Sequence, residues 1–558
     1  MLESLHAFQD LPRLRQLVAI LVRHGFGDLL RRSGVGGLLE RAGELLGAGQ
    51  DPALASLALP VRMRMALEAM GPAFVKLGQV MSTRADLLSP DWIAELERLQ
   101  DAVAPSPAAE VLAEMSEALG RPPEQVFADF DPVPFASASI AQVYRARLAD
   151  GTPVVLKVRR PGIRPRIEAD LRILQSLARL VEREMPQSRR FQPEQMVLQF
   201  RKSISRELDL ALEARNQDRF TRNFRGDPGI VIPRIHWEFT SPVMNVQDFI
   251  DGVPGNDLGL LERSGLDRRT LADRGANAVL KMILVDGFFH ADPHPGNVLY
   301  LPGNRLGMLD FGMVGRLSEQ RRDQVVDLLD ALSRQDERGM MRVLLDWTED
   351  AAVDESRLAL DLGELAFNYE HLELGEIRIG QLLADISAIL RDHSIVLPAD
   401  LALLFKSLVT LEGLGCRLYP EFHLLDHLRP FIRQVVAARY EPRALARRLR
   451  YGLASALGAA AGLPSELARL VSDARRGRVR IEFDLKRLDR FGHQIDRSAN
   501  RLTLGVVTAA LIVGSSIVMT VRGGPEVFGL PLFGVIGFAA ASLNAVWLVL
   551  SIWRSNRE

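Results

Sequence analysis

The chain has 558 residues, with 69 basic and 70 acidic side chains and a net charge of −1 at pH 7. It is too long for one hydrophobic core, so two or more domains are expected, and the balanced charge gives no case for a nucleic-acid partner. The single cysteine, Cys416, excludes an internal disulfide framework and suits a reducing compartment; its apolar surroundings make it a packed thiol.

From the N-terminus, the first ~60 residues read as amphipathic helices with glycine breaks. Ser33–Gly37 is a linker, because no strand precedes it. Glu3 and Asp10 interrupt any apolar leader core, so no signal peptide is expected. Further on, Ile140–Leu148 alternates like a strand, Asp150-Gly151 is a hairpin turn, and Pro153–Arg159 is the return strand. Lys157 sits inside that apolar strand, which is costly unless it is paired or binds phosphate. Only six of the basic residues are lysines, at 76, 157, 202, 281, 406 and 486. Where arginine is the default cation, a lysine hints at a place a guanidinium would not fit. The charged segment from Pro193 to Phe224 reads as an amphipathic helix carrying Glu207, Asp209 and Glu213. Asp209 and Glu213, four apart, share a face of such a helix.

Val279–Phe289 is an apolar helix-like run that ends in His290-Ala-Asp-Pro-His-Pro-Gly-Asn297. Short strands at Val298–Tyr300 and Gly307–Leu309 flank a Pro-Gly-Asn turn, and Asp310-Phe311-Gly312 follows. Asp292, Asn297 five residues later and Asp310 thirteen after that have the spacing of a protein kinase's catalytic Asp, metal-binding Asn and D-F-G Asp. Asp292 would attend the attacking hydroxyl or water, while Asn297 and Asp310 would hold Mg²⁺ against the phosphates of ATP or ADP. A zinc site on His290 and His294 is the rival, but Pro293 and Pro295 oppose the regular helix it needs. Lys157 is the candidate phosphate contact, and its partner would be one of the acids on the Pro193–Phe224 segment. The expected Gly-rich loop is missing. Pro134-Phe135-Ala136-Ser137-Ala138-Ser139 stands in its place, still small but without the positive φ angles open to glycine. No Walker A sequence occurs, which argues against a P-loop ATPase.

From Arg439 to Arg501 the chain turns basic, with clusters at Arg443–Arg450 and Arg475–Arg480. Leu502–Val521 and Val527–Trp553 then run without charge, each long enough for a hydrocarbon core of ~30 Å. These imply a membrane hairpin behind basic helices that meet anionic lipid headgroups. Arginines at the outer ends put the catalytic body in the cytoplasm. Two buried helices are the alternative, although no amphipathic stripe supports it.

The chain resembles the UbiB/AarF family of atypical kinase-like proteins from about residue 65 onward. Gly71–Gln79 with Ser82-Thr83-Arg84 matches the family's K-x-G-Q motif, Pro134–Tyr144 its Ala-rich loop, Glu207-Leu208-Asp209 its E-x-D motif, and Leu408–Pro420 its C-lobe helix. Ser137, at the loop's second position, departs from the pattern. The resemblance implies that Lys157 pairs with Glu213 and that Ala136–Ser139 cover the nucleotide. It further implies that Lys76 and Gln79 reach from a helical extension to regulate the site near Glu207 and Asp209. The implied fold is α+β and bilobal, protein-kinase-like. Its expected parts are a helical extension (1–125), an N-lobe (126–250), a helical C-lobe (251–435), basic juxtamembrane helices (436–501) and a two-helix transmembrane hairpin (502–553). The implied role is an ATPase or small-molecule kinase at a bacterial inner membrane. It would act on polyprenylated quinone intermediates in ubiquinone biosynthesis, alongside other enzymes of that synthesis; a non-catalytic nucleotide-sensing scaffold for biosynthetic enzymes, or a protein kinase, is the alternative.

Overall fold

A computed structural model describes residues 10–27, 52–99, 104–185, 188, 192–334, 336–347, 353–369, 377–439, 507–517, 526–527, 530–531, 536 and 539–543. The chain divides into two compact units, Met1–Leu445 and Ala446–Glu558.

In the first unit, strands β1 (Asp129–Phe130), β2 (Ala136–Ser137), β3 (Ala141–Arg147) and β4 (Pro153–Arg159) build an antiparallel sheet. After β5 (Ile230–Val231), strand β6 (Met244–Asp248) completes it in the order β1-β3-β4-β6, with β2 also on β3. The Asp150-Gly151 turn joins β3 to β4 with Arg147 opposite Pro153, as the alternation predicts. Tyr144, Ala146, Leu156, Val158, Met244 and Val246 share a core with Val111 and Met115 of the helix Ala108–Leu119. Val143, Lys157 and Asn245 stand opposite one another across the three strands. Strict alternation places them on the other face, toward the site.

A second sheet has the order β5-β10-β9-β7, from β7 (Val253–Pro254), β9 (Val298–Leu301) and β10 (Arg305–Met308); β5 and β10 are parallel. Strands β8 (Phe288–His290) and β11 (Val314–Arg316) pair on either side of the D-F-G turn. Seven helices matter for the site: α1 (Pro72–Met81), α2 (Ile163–Glu184), α3 (Pro193–Glu207), α4 (Leu210–Asn223), α5 (Arg268–Leu280), α6 (Ile379–Asp392) and α7 (Ala399–Leu418). The extension packs on α2 and α3 through Phe74, Ile167, Phe200 and Ile204, while the helical lower part has its own larger core.

Four sequence expectations change. First, the stretch between β4 and α3, to which the sequence reading assigns no element, is helix α2; its charged composition hides a stripe of buried Ile163, Ile167 and Leu171. Second, Pro193–Phe224 is two helices. Asp209 is extended and its Oδ1 accepts the N–H groups of Ala211 and Leu212, so it caps α4 and shares no helical face with Glu213. Third, the apolar run before the catalytic loop leaves α5 for a π-helical turn at Lys281–Asp286, and Phe288 and Phe289 are in β8. Three fully buried consecutive strand positions show no alternation that the sequence could display.

The fourth concerns the second unit. Among the described residues no helix is long and apolar enough to cross a membrane. Val527, expected to open the second span, lies in a short strand, Glu526–Val527, paired with Leu530–Pro531. The expected transmembrane hairpin is not supported, and the two-pass inner-membrane placement falls with it. The Ser33–Gly37 linker and the basic clusters at 443–450 and 475–480 lie outside the described residues.

Candidate active site

Helix α4 brings one face to the D-F-G turn through side chains three and four residues apart. Glu213 Oε1 accepts from Lys157 Nζ at 2.8 Å, Asn216 Nδ2 donates to the Phe311 carbonyl at 3.1 Å, and the Phe220 ring packs on Phe311 at 5.0 Å. Phe311 is fully buried, with His290 on its other side. Lys157 Nζ also lies 3.5 Å from Asp310 Oδ2. Burial works against the Lys157 ammonium, but Asp310 and Glu213 outweigh it and hold its pKa above the ordinary 10.5. Burial pushes Glu213 up, with Lys157 countering. Asp310 is half-exposed at the side chain. Desolvation opposes its charge, yet Lys157, the Gly312 N–H and Lys76 hold its carboxyl well below the usual range. Its backbone is left-handed, φ +52°, a region that Asp tolerates better than most non-glycine residues because its side chain can bond locally, as Oδ1 does here in accepting from the Gly312 N–H at 3.1 Å.

The catalytic loop is fixed by backbone bonds. His290 Nδ1 accepts from the Asp292 N–H, so Nε2 donates to the Leu309 carbonyl. Burial depresses the ring's pKa and favours this neutral form. With both ring nitrogens engaged, the His290–His294 zinc reading has no free ligand on His290. Asn297 Nδ2 donates to the Asp292 carbonyl at 3.2 Å, and the Asn297 carbonyl accepts from the Leu309 N–H at 2.9 Å. The first bond leaves Asn297 Oδ1 available as a donor atom to a metal. Among the described residues no group of three or more His, Cys, Asp or Glu could hold a metal. The amide oxygen of Asn297 and the carboxylate of Asp310 are hard oxygen donors. They suit Mg²⁺, which takes few protein ligands and fills its shell with phosphate oxygens and water.

Sequence reasoning missed one cation. Lys406, from the middle of α7, places Nζ 2.9 Å from Asp292 Oδ1. Burial resists ionisation of Asp292, but Lys406 holds its pKa below the ordinary 3.8. The neighbouring Ser407 hydroxyl donates to the His290 carbonyl at 3.0 Å. The rarity of lysine already marked residue 406, but nothing in the sequence linked it to a loop 114 positions earlier.

Of the four residues expected to regulate, two meet. Lys76 Nζ lies 2.6 Å from Glu207 Oε1. Gln79 donates at 3.4 Å to the Leu99 carbonyl, within its own extension, and Asp209 is the α4 cap. The glycine of K-x-G-Q has a packing cause: a Cβ on Gly78 would stand 2.2 Å from Leu99 Cδ1 and 3.0 Å from Leu67 Cδ1. In the Ala-rich loop, Ala136 and Ser137 pair with Val143 and Gln142, and the Ala138 N–H donates to Ala141. Arg160 donates to the Ala138 carbonyl at 3.0 Å, and Ser139 is buried. The loop is thus tied down as a turn on the sheet.

The ABC1 atypical kinase-like domain matches residues 98–344, the UbiB helical domain 362–423 and the ABC1/UbiB kinase-like C-terminal domain 486–554. A probable protein kinase UbiB of Aeromonas salmonicida is 36% identical, aligned over 91% of this chain and 93% of that protein. The chain belongs to the UbiB family. Another UbiB protein so named, from Azotobacter vinelandii, is 36% identical over 81% of this chain and 82% of its own length. A solved complex of Rv3197 with erythromycin from Mycobacterium tuberculosis has 21% identity and a TM-score of 0.43, covering 70% of this chain and 95% of that one. The ABC1 atypical kinase-like match accordingly contains Lys157, Glu213, Asp292, Asn297 and Asp310, and the UbiB helical match contains Lys406.

Proposed function

We propose that the chain is an atypical kinase-like enzyme that binds Mg²⁺ and ATP and either hydrolyses the nucleotide or passes its terminal phosphoryl group to a small lipid-like acceptor. The carrying observation is that Lys157, Glu213 and Asp310 meet in one ion-paired group, beside a loop that fixes Asp292 and Asn297. Lys157 orients phosphates, Glu213 holds Lys157, and Asp292 receives or positions the acceptor's proton. Asn297 and Asp310 would hold Mg²⁺, which when bound neutralises phosphate charge. Family membership supports a role in ubiquinone biosynthesis, with polyprenylated quinone precursors as the acceptor class.

The test is Mg²⁺-dependent phosphate release or transfer from ATP by the full chain and by Asp310→Asn. The substitution should remove turnover while leaving the thermal transition unchanged. Undiminished turnover would refute the metal role of Asp310. Tight nucleotide binding with no turnover in the unaltered chain would replace the enzyme with a nucleotide-sensing scaffold.

A further inference from the structure

A cavity of about 760 Å³ lies against the far end of the D-F-G turn. Its wall includes Gly312, Glu213 and Asn216 but not Asp292, Asn297 or Lys157. Most of the wall is apolar: Leu77 and Val80 from α1, Met196 and Phe200 from α3, Met313 after the D-F-G turn, and Leu403 from α7. Its volume falls within the range of small-molecule sites, ~300–1,000 Å³.

The charged groups on this wall are unequal. The two carboxylates are engaged, Glu213 with Lys157 and Asp400 with Arg321. Arg84 is bound through both Nε and Nη2 to Asp86. Lys202, Arg206 and Arg316 have no ion pair among the described residues, and all three are exposed. Lys202 and Arg206 stand four apart on α3, so their side chains project from neighbouring turns of one face and can hold a single anionic group between them. Three cations without an ion pair among the described residues line the cavity and favour an anionic head over a neutral one.

We propose that this cavity binds an anionic amphiphile, an apolar chain ending in a carboxylate or phosphate, with the chain between α1, α3 and α7 and the head on Lys202 and Arg206. Because Glu213, Asn216 and Gly312 form part of the same wall, the occupant touches the elements that place Lys157 and Asp310. The site is thus an effector site, through which ligand occupancy reaches nucleotide handling. It stands apart from the phosphoryl-transfer reading, because binding is measured directly.

The experiment uses the full chain and displacement of 11-(dansylamino)undecanoic acid, followed by its fluorescence. Dodecyl phosphate or dodecanoate should displace the probe at least tenfold more effectively than dodecanol, and inorganic phosphate should not displace it. The better of the two anions separates a phosphorylated ligand from a fatty acid. Lys202→Glu with Arg206→Glu should erase the tenfold preference without moving the thermal transition, since both residues are exposed. Val197→Trp, which fills the chamber, should abolish displaceable binding of every chain. Equal displacement by dodecanol and dodecyl phosphate, or an unchanged preference in the charge-reversed chain, overturns the proposal. So does displacement by Mg-ATP alone, which would place the probe in the nucleotide site.

Discussion

Replacing Lys406 by Met keeps most of the side chain's length and apolar contact but removes the ammonium 2.9 Å from Asp292 Oδ1. At an effective dielectric constant near 20, that separation corresponds to a gross attraction of about 6 kcal/mol. Both partners are mostly withdrawn from water, with 19% and 27% of their side chains exposed, so desolvation consumes much of it. A charge-assisted hydrogen bond of this kind nets about 1.5–3 kcal/mol. The same loss felt in the transition state, at about 1.4 kcal/mol per tenfold, slows turnover by roughly 10- to 100-fold. The sign with pH follows from the depressed carboxyl of Asp292. Its stabilisation is present above the ordinary pKa of 3.8 and is lost as pH falls through the lower folded value. Urea unfolding should therefore separate Lys406→Met from the unaltered chain at pH 7 and progressively less below pH ~4. Mg-ATP turnover measured beside nucleotide affinity should show the rate falling more than the binding, and Lys406→Arg should recover part of it. Turnover and stability of Lys406→Met both within twofold of the unaltered chain would refute the reasoning.

Three other substitutions separate packing from chemistry. Asp209→Ala should cost about 1 kcal/mol by loss of the α4 cap, while Asp209→Asn retains both stability and turnover, as read by urea titration and phosphate release; loss of turnover in the Asn variant would restore a direct role for the carboxylate. Gly78→Ala forces a methyl into the Leu99 and Leu67 side chains and should cost about 1–3 kcal/mol, seen as a lower midpoint of unfolding. Glu412, six residues after Lys406 on α7, accepts the N–H groups of Ile379 and Gly380 at 2.8 and 2.7 Å at the start of α6. Glu412→Ala strands both donors at about 1–3 kcal/mol each, so it should unfold earlier than Glu412→Gln.

Local signals were legible. The β3–β4 hairpin announces itself by alternation around Asp-Gly, and the Asp292, Asn297 and Asp310 spacing follows from a short loop and a tight hairpin. What failed depends on distant parts of the chain. The break at Leu208–Asp209 is a cap within a segment that is amphipathic on both sides, so periodicity passes through it. Phe288 and Phe289 form a strand because β11 returns to pair with them, a partner beyond any window on the apolar run. Asn216 looked like one polar residue among many on α4, and only its bond to the Phe311 carbonyl distinguishes it.

Three ammonium groups act on the carboxylates of the site, and only Lys157 lies within residues 98–344; Lys76 precedes them and Lys406 follows them. The kinase-like segment is therefore electrically incomplete by itself. A fragment cut at its homology boundaries would keep Asp292 and Asp310 while losing two of the positive charges that hold them ionised. Inheritance of the flanking helices with this segment is, on this account, a matter of charge neutrality as much as of folding, and grafting the segment onto another scaffold would require replacing both cations.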